Sequence, residues 1–428
     1  MKKVIYVFLA LLVSMFFVSC SSKTNDEEFT PLLDKESKCE INIIGSYDNF
    51  EALEAEFDRF NEFYPNVNLS YVKVDDYNDT LSSVLEGKDK PNIFFSYTWM
   101  IGNSKYDSIV SHMEDLSDTK LKLNIDCIRQ GLINHMDDGK ILMLPVFSRT
   151  YGMMVNNDLF KKENLEIPST WDNLLSVCNS LKEKGYKSPM MGYTKDSSGS
   201  SCLMNTIAYP AFVAELANNK EALKKANNLD SSAGEYMRKA LGYVDSLINS
   251  GFVDLEECDQ IADNYKKVIL RFFEGDVPMM ICTGDTVSGT KKRENESEAF
   301  KKNPFSYSFA PIPLTNQGGY FIDSPSIEFS VNKDCDNLDM TNEFMRFLIR
   351  TKELNEMASI KRLVTPTNDM SFQSIYAPFA SMPKDYTFSP EVIGIKDSLS
   401  QQIRVAAYKV GRGELSIDEA VASYGTFK

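Results

Sequence analysis

The residue types that usually perform catalysis are present in this sequence, but not at the spacing that catalysis needs. Two acidic pairs, Asp75-Asp76 and Asp137-Asp138, could act as catalytic carboxylates. Neighbouring residues of a strand point to opposite faces, so the members of each pair would not meet at one substrate. The sequence contains no GxSxG, Walker or HExxH pattern. We therefore predict no enzymatic activity, and a secreted hydrolase stays open as an alternative.

The residue types that bind metals are equally scattered along the chain. Only two histidines, His112 and His135, are present, and no cluster has the spacing of a zinc or transition-metal site. Seven of the eight cysteines follow Cys20, with no CxxC pair among them. This odd and widely spaced set argues against a complete disulfide framework. The sequence therefore predicts neither a metal nor another cofactor.

Polar and aromatic residues follow two of the predicted strands. The segments in chain order are a strand at 39–45, a helix at 51–64, a strand at 67–74, a helix at 77–86 and a strand at 91–97. This order predicts an α/β fold with a parallel sheet, whose ligands would bind beyond the carboxyl ends of the strands. The predicted binding loops are therefore Ser46-Tyr47-Asp48 and Thr98-Trp99-Met100.

The first 38 residues differ in character from the rest. Lys2 and Lys3 precede an apolar run that ends at Val18, which is the pattern of a secretory signal peptide and is too short for a stable membrane span. Val18-Ser19-Cys20 then resembles the bacterial lipobox, in which the chain is cut just before a lipidated cysteine. We predict a signal peptide at 1–19, attachment of diacylglycerol and palmitate at Cys20, and a flexible acidic tether at 20–38.

Charge and length limit the partners and the organisation of the rest. The chain carries a formal net charge of −15. Such acidity disfavours nucleic acid and anionic lipid head groups as partners, so membrane contact is expected only through the lipid anchor. About 390 residues follow the tether, which is too many for one ordinary core and predicts two lobes.

Five segments carry short motifs whose order is more specific than any one of them. They are KPNIFFSY at 90–97, YGMMVNNDLFKKENLEIPSTWDNL at 151–174, FFEGDVPMMICTG at 272–284, APIPLTNQGGYFIDSPSIEFSVNKD at 310–334 and YKVGRGELSIDEAV at 408–421. With the lipobox, this order spans nearly the whole chain. It resembles the extracellular solute-binding proteins of bacterial ABC importers (family 1), in the carbohydrate-binding group that includes the maltose-binding protein.

The resemblance implies an α/β, two-lobed periplasmic-binding-protein (type II) fold, in which each lobe is a mainly parallel sheet flanked by helices. Projected onto this chain, lobe one is 39–148 plus 311–355, and lobe two is 149–310 plus 356–428. The solute would bind in the cleft between the lobes, and hinge bending would close them. The implied protein is an exported monomer, lipid-anchored to the outer face of the cell membrane, that delivers its solute to the permease subunits of an ABC importer.

A sugar suits the implied cleft because a pyranose has apolar C–H faces and a rim of hydroxyls. Flat aromatic rings cover the faces, and Asp, Asn and Arg side chains bind the hydroxyls. We expect Trp99 to be the strongest stacking residue. The full set of candidate ligand-binding residues is Tyr47, Asp48, Tyr97, Thr98, Trp99, Arg149, Tyr151, Tyr193, Asp196, Asp285, Ser324 and Ser326.

One candidate residue leaves the class of solute open. Asp285 follows Gly284 at a strand end, where the resembling family often carries an aromatic residue. A carboxylate there could bind a hydroxyl, an amine or an ammonium group. A binding protein for a polyamine or another small cationic solute is therefore the alternative, and a surface protein that presents its solute to a sensor is a further one.

The stacking role of Trp99 gives a direct test. If the ring stacks on the solute and loses its water, Trp99→Ala should weaken binding by about 1–3 kcal/mol. Isothermal titration of the wild-type and variant proteins measures the difference. Unchanged titration heats in the variant would remove Trp99 from the site.

Overall fold

Two sheets organise the chain, which is described by a computed structural model over residues 28–197, 201–263, 265–370 and 372–427. The predicted signal peptide and Cys20 lie outside the described residues. The described strands are β1 (Cys39–Gly45), β2 (Val67–Lys73), β3 (Ile93–Ser96), β4 (Leu144–Arg149), β5 (Tyr151–Asn156), β6 (Met190–Gly192), β7 (Met279–Thr283), β8 (Tyr307–Ala310), β9 (Phe321–Ile322), β10 (Ser324–Val331) and β11 (Thr387–Phe388).

Helices cover both sheets. They are α1 (Glu51–Asn61), α2 (Tyr77–Leu85), α3 (Asp107–Ser111), α4 (Asn157–Glu163), α5 (Trp171–Glu183), α6 (Leu203–Ala217), α7 (Lys220–Asn227), α8 (Arg238–Asn249), α9 (Leu255–Cys258), α10 (Lys266–Phe272), α11 (Gly284–Ser288), α12 (Thr290–Glu296), α13 (Glu298–Lys302), α14 (Leu338–Leu348), α15 (Thr351–Lys361), α16 (Pro390–Ile393), α17 (Asp397–Gly411) and α18 (Ile417–Ala422). In the described part of the chain, no helix combines the length and the apolar character that a membrane crossing requires.

The sheets are mixed, whereas mainly parallel sheets were expected. The first has the order β2-β1-β3-β10-β4, and the second has the order β6-β7-β5-β8. Strand β1 is parallel to β2 and β3, but β10 runs antiparallel to β3 and β4. Strand β5 likewise runs antiparallel to β7 and β8. Strand β5 follows directly on β4 of the first sheet, and β10 follows directly on β9, which pairs with β11 in a separate two-stranded sheet. Neither connection contains the crossover helix that a parallel connection within one sheet needs.

Each sheet has its own hydrophobic core. The first is rich in phenylalanine, including Phe50, Phe60 and Phe95, and the second is centred on α6. Helix α6 is apolar on all sides and is almost completely buried by α8 and α17, as expected for a helix with no polar face. Residues 312–322 pack with the second core, and residues 357–363 pack with the first. The sequence had assigned each of these two segments to the other lobe.

The N-terminal segment is docked on the first lobe from Phe29 onward. Phe29 is 5% exposed, and its ring centroid lies 5.0 Å from that of Phe63 and 5.2 Å from that of Phe347. The Arg346 guanidinium covers the same ring at 4.3 Å. The expected flexible tether at 20–38 therefore differs from the structure in its last part. A single aromatic residue in a polar segment has no periodicity that would reveal the docking.

The chain passes between the two hydrophobic cores three times, and a buried polar cluster around Asp323 joins these passages. The first passage is at Thr150, the second at Asp323 and the third at Val364, which exchanges backbone hydrogen bonds with Ser148 at 2.9 and 3.3 Å. The Ser148 hydroxyl donates to Asp323 at 2.5 Å.

Arg129 completes this junction. Its Nε and Nη2 donate to the two carboxylate oxygens of Asp323 at 2.7 and 2.8 Å. Its Nη1 donates to the carbonyl oxygens of Thr365 and Thr367 at 2.8 and 2.6 Å. One guanidinium therefore ties the second passage to the third. We call Arg129, Ser148, Asp323 and their partners the hinge junction.

Removing the carboxylate at the hinge junction should be costly. The Asp323 side chain is 4% exposed and that of Arg129 12%, so Asp323→Asn leaves a mostly buried cation without its counter-ion. We expect the free energy of unfolding to fall by about 3–5 kcal/mol, measured by urea denaturation. Asp138→Asn, which breaks an exposed pair with Lys140, is the matched control and should have little effect. Equal effects of the two substitutions would contradict a structural role for the Arg129–Asp323 pair.

Candidate functional site

A cavity of about 870 Å³ lies between the two lobes. This volume is within the range of small-molecule binding sites. The first lobe lines it with Ser46, Tyr47, Asp48, Asn49, Glu51, Tyr97, Arg149, Ser326, Ile327, Ile360 and Lys361; the second lobe lines it with Tyr265, Asp285, Ser288, Gly289, Lys291, Lys292, Arg293, Asn295 and Glu296.

The first-lobe side chains reach the cavity because β1 and β3 are parallel and end at the same edge of the sheet. Tyr47 follows β1 and Tyr97 follows β3. Gly45 ends β1, and a Cβ atom there would come within 2.5 Å of the Phe95 ring. Glycine is therefore the residue that lets this ring pack beneath the binding loop. Both tyrosines were predicted from this strand-end position, and the structure brings them together.

Asp285 joins the two lobes across the cavity. It lies in α11 of the second lobe, and its Oδ2 accepts a hydrogen bond from Nη1 of Arg149 at 2.7 Å. Its Oδ1 accepts from the Ser326 hydroxyl at 2.5 Å. Arg149 is itself positioned by the pairing of β4 with β10, opposite Ser324. The carboxylate of Asp285 is therefore already engaged by a cation and a hydroxyl of the first lobe.

Six of the predicted residues line the cavity: Tyr47, Asp48, Tyr97, Arg149, Asp285 and Ser326. Trp99 is not among the residues that line the cavity. Its ring stacks on Tyr97, with the centroids 5.3 Å apart and the planes 11° apart, and 36% of the residue is exposed. Trp99 therefore supports the ring of Tyr97, and its own contact with a solute stays a prediction.

The other five predicted residues lie outside the lining, and four of them have side-chain partners in the protein. The Thr98 hydroxyl donates to Glu328 at 2.9 Å, and the Tyr193 hydroxyl donates to Asp196 at 2.7 Å. Tyr151 packs against the ring of Tyr209, with centroids 5.3 Å apart. Ser324 is 9% exposed within β10. The structure thus does not bring Thr98, Tyr151, Tyr193, Asp196 and Ser324 to the cavity wall.

The residues that sequence reasoning missed are mostly charged. The segment from Lys291 to Lys302 is visible in the sequence as charge-rich, but charged helices are usually solvated faces. In the structure its first half is α12, which lines the cavity. Lys361 ends α15, and its Nζ lies 4.2 Å from the centroid of the Tyr47 ring. No local pattern distinguishes these lysines from other surface lysines.

Two α/β lobes that enclose a lined cavity define a two-lobed ligand-binding protein, and comparison with known proteins agrees. The family model "Bacterial extracellular solute-binding protein" matches residues 45–353. The chain therefore belongs to the bacterial extracellular solute-binding protein family. This confirms the predicted family and the two-lobed α/β fold, and membership implies an exported protein.

Individual relatives are distant. MelE of Bacillus subtilis strain 168, a melibiose/raffinose/stachyose-binding protein, is 19% identical over 81% of this chain and 75% of its own length. An uncharacterised ABC transporter extracellular-binding protein of Pyrococcus horikoshii is 24% identical over 42% of this chain, but the match spans only 44% of that relative. The apo structure of RafE from Streptococcus pneumoniae matches with a TM-score of 0.67 and 16% identity, over 91% of this chain and 98% of RafE. The structure of RafE in complex with raffinose matches with a TM-score of 0.64.

Glu328, the partner of Thr98, is a buried acid next to the cavity. It is 2% exposed, and among the described residues its Oε1 has no hydrogen-bond partner. Burial raises the pKa of Glu328 to about 8, from an ordinary value of 4.5. The folded protein therefore keeps a proton that the unfolded chain releases when the pH rises above 4.5.

This raised pKa predicts a pH-dependent stability. The contribution of Glu328 is fully present below about pH 4.5 and is lost as the pH rises through about 8. Glu328→Gln cannot ionise, so its melting temperature should fall less than that of wild type between about pH 5 and about pH 8. Glu298→Gln, at a side chain that is 88% exposed, should reproduce the wild-type profile. Parallel profiles for wild type and Glu328→Gln would contradict the shift.

Proposed function

We propose that this protein captures a saccharide in the cavity between its lobes and delivers it to the permease subunits of an ABC importer. The observation that carries the proposal is the composition of the cavity wall. Three tyrosines, Tyr47, Tyr97 and Tyr265, lie there among side chains that donate and accept hydrogen bonds. Aromatic rings suit the C–H faces of a pyranose, and the polar groups suit its hydroxyls.

The names of similar proteins support the same class of solute. MelE is described as binding melibiose, raffinose and stachyose, and RafE has been solved with raffinose. At these low identities the similarity is evidence for the fold alone. The proposal of a saccharide therefore depends on the residues of the cavity wall.

Closure by hinge bending fits the way the lobes are joined. From the packing of the two cores, we place lobe one at 28–149 plus 323–363 and lobe two at 150–322 plus 364–427. The contacts of Asp285 with Arg149 and Ser326 cross the cavity between these lobes. A bound solute adds further contacts between the lobes and so favours the closed form. The permease would read the closed surface.

The charges of the cavity favour a saccharide over a cationic solute. Asp285 is the residue for which a polyamine was kept as an alternative solute. Its charge is neutralised by the ion pair with Arg149. Asp48 pairs with Lys73 at 3.0 Å. Both carboxylates therefore form ion pairs with cations of the protein. Neither is arranged with a second carboxylate as a catalytic pair. This supports binding without chemistry, as expected for this family.

We place the protein outside the cell, tied to the membrane by lipids on Cys20, where it acts as a monomer. The lipobox-like segment supports the anchor. The family, whose members are extracellular, supports the location. In this arrangement the solute reaches the permease from a protein that stays near it.

The proposal predicts which compounds stabilise and close the mature protein. A panel of neutral and acidic oligosaccharides is compared with spermidine by thermal shift and small-angle scattering. At a hundredfold excess over its dissociation constant, a saccharide should stabilise the folded protein by about 2.7 kcal/mol and so raise its melting temperature. The same saccharide should reduce the radius of gyration. Spermidine should do neither.

Two tyrosine variants serve as a matched pair. Tyr265→Ala removes a ring from the cavity wall, and should reduce the thermal shift. Tyr236→Ala removes a partly buried ring outside the cavity, and should leave the ligand-induced shift unchanged. Stabilisation by spermidine alone would favour the cationic alternative, and cleavage of a saccharide by the pure protein would favour the hydrolase.

A further inference from the structure

The cavity is basic within an acidic protein. Its wall contains five basic residues, Arg149, Lys291, Lys292, Arg293 and Lys361, and four acidic residues. The whole chain has a formal net charge of −15. A random sample of this surface would therefore be acidic, whereas the wall of this cavity carries one more basic residue than acidic ones.

Three of the four acidic residues of the wall form ion pairs with cations other than its lysines. Asp285 pairs with Arg149, and Asp48 pairs with Lys73, which is not part of the wall. Glu296 lies 3.4 Å from Arg293 and 3.9 Å from Lys266. By contrast, no ion pair to a described carboxylate is formed by the three lysines of the wall, which are Lys291, Lys292 and Lys361.

Lys361 is the most unusual of the three. Its side chain is half-buried, with Nζ 4.2 Å from the centroid of Tyr47 and 5.6 Å from that of Phe50. Burial lowers the pKa of Lys361; Glu51 counteracts this through space, and Lys292 adds to it. A cation taken out of water without a paired anion is unfavourable, so this ammonium group lacks a partner that a solute could supply.

Lys292 and Lys361 belong to opposite lobes. Lys361 ends α15, whose Leu354 and Met357 pack in the first core. Lys292 lies in α12, which follows Val287 of the second core. Closing the cleft brings these two positive charges together, which is unfavourable unless an anion lies between them. An anionic solute would turn the repulsion into two attractive contacts.

We propose that the solute is an acidic oligosaccharide, which carries a carboxylate or sulfate group that binds between Lys292 and Lys361. The inference rests on the proposed saccharide function and narrows it. The ring of Tyr47, directly beneath the Lys361 ammonium group, is placed to contact a sugar whose acid group faces that ammonium. Charge-assisted hydrogen bonds from the two lysines would then join the lobes in the closed form.

The test compares three groups of compounds by isothermal titration of the mature protein at low salt. The acidic group is trigalacturonate, trimannuronate and a sulfated chondroitin tetrasaccharide. The neutral group is raffinose, maltotriose and chitotriose. Sodium sulfate and glucuronate test the anion without an oligosaccharide. We expect at least one acidic oligosaccharide to bind more tightly than every member of the other two groups.

Variants then assign the selectivity to the two lysines. Lys361→Met and Lys292→Met should each weaken the best acidic ligand roughly tenfold or more, because each removes a hydrogen bond to a charged group. Lys361→Arg should restore most of the affinity. Lys352→Met, at an exposed position of the same helix outside the cavity wall, should bind like wild type.

Each contrary outcome has a distinct meaning. Binding of neutral oligosaccharides alone, or unchanged affinity for acidic ones in both methionine variants, overturns the inference and leaves the saccharide function standing. If sulfate or glucuronate binds as tightly as the oligosaccharides, the cavity recognises an anion, and the claim that the solute is an oligosaccharide is overturned. No binding by any saccharide overturns both the inference and the proposed function.

Discussion

The ion pair between Arg129 and Asp323 constrains the whole molecule, because it joins the passages by which the chain crosses between its lobes. A two-lobed protein that passes three times through one narrow region must satisfy many polar backbone groups there. Arg129 does this with one planar side chain, which binds a carboxylate and two carbonyl groups at once. Asp323 directly precedes β10, and Ser148 directly precedes Arg149. The cavity wall therefore continues directly from the hinge junction along β4 and β10, so the proposed bending at the junction would also move the wall.

Charge in this protein is organised on two scales. The chain as a whole is acidic, with a formal net charge of −15, whereas the cavity concentrates three lysines that form no ion pair with a described carboxylate. Long-range repulsion of an anion by the acidic surface is screened over about 10 Å at ordinary salt, so the nearby lysines dominate once a solute enters the cavity. For the proposed anionic solute, selection would therefore depend on short-range contacts rather than on attraction from a distance.

The sequence predicted the parts of the site that depend on strand periodicity. Strands 39–45 and 67–74 and the helix at 51–64 agree with β1, β2 and α1 to within a few residues, and the strand-end rule led to Tyr47 and Tyr97. Ordered motifs led to Asp285. The lysines of α12 and Lys361 were out of reach, because a charged helix face looks the same whether it meets water or a cleft. The antiparallel direction of β5 and β10 was equally out of reach, because a strand's direction depends on where its neighbours lie.

With the proposed lipid anchor at Cys20, the docking of Phe29 would limit how far the molecule stands from the membrane. With lipids on Cys20, the stretch up to Phe29 can span at most about 30 Å even when fully extended. The aromatic and arginine contacts of Phe29 are all with the first lobe, so the proposed anchor would hold that lobe at this height. Closure would then swing the second lobe, with its basic helix, while the first remains the stationary half facing the lipid surface.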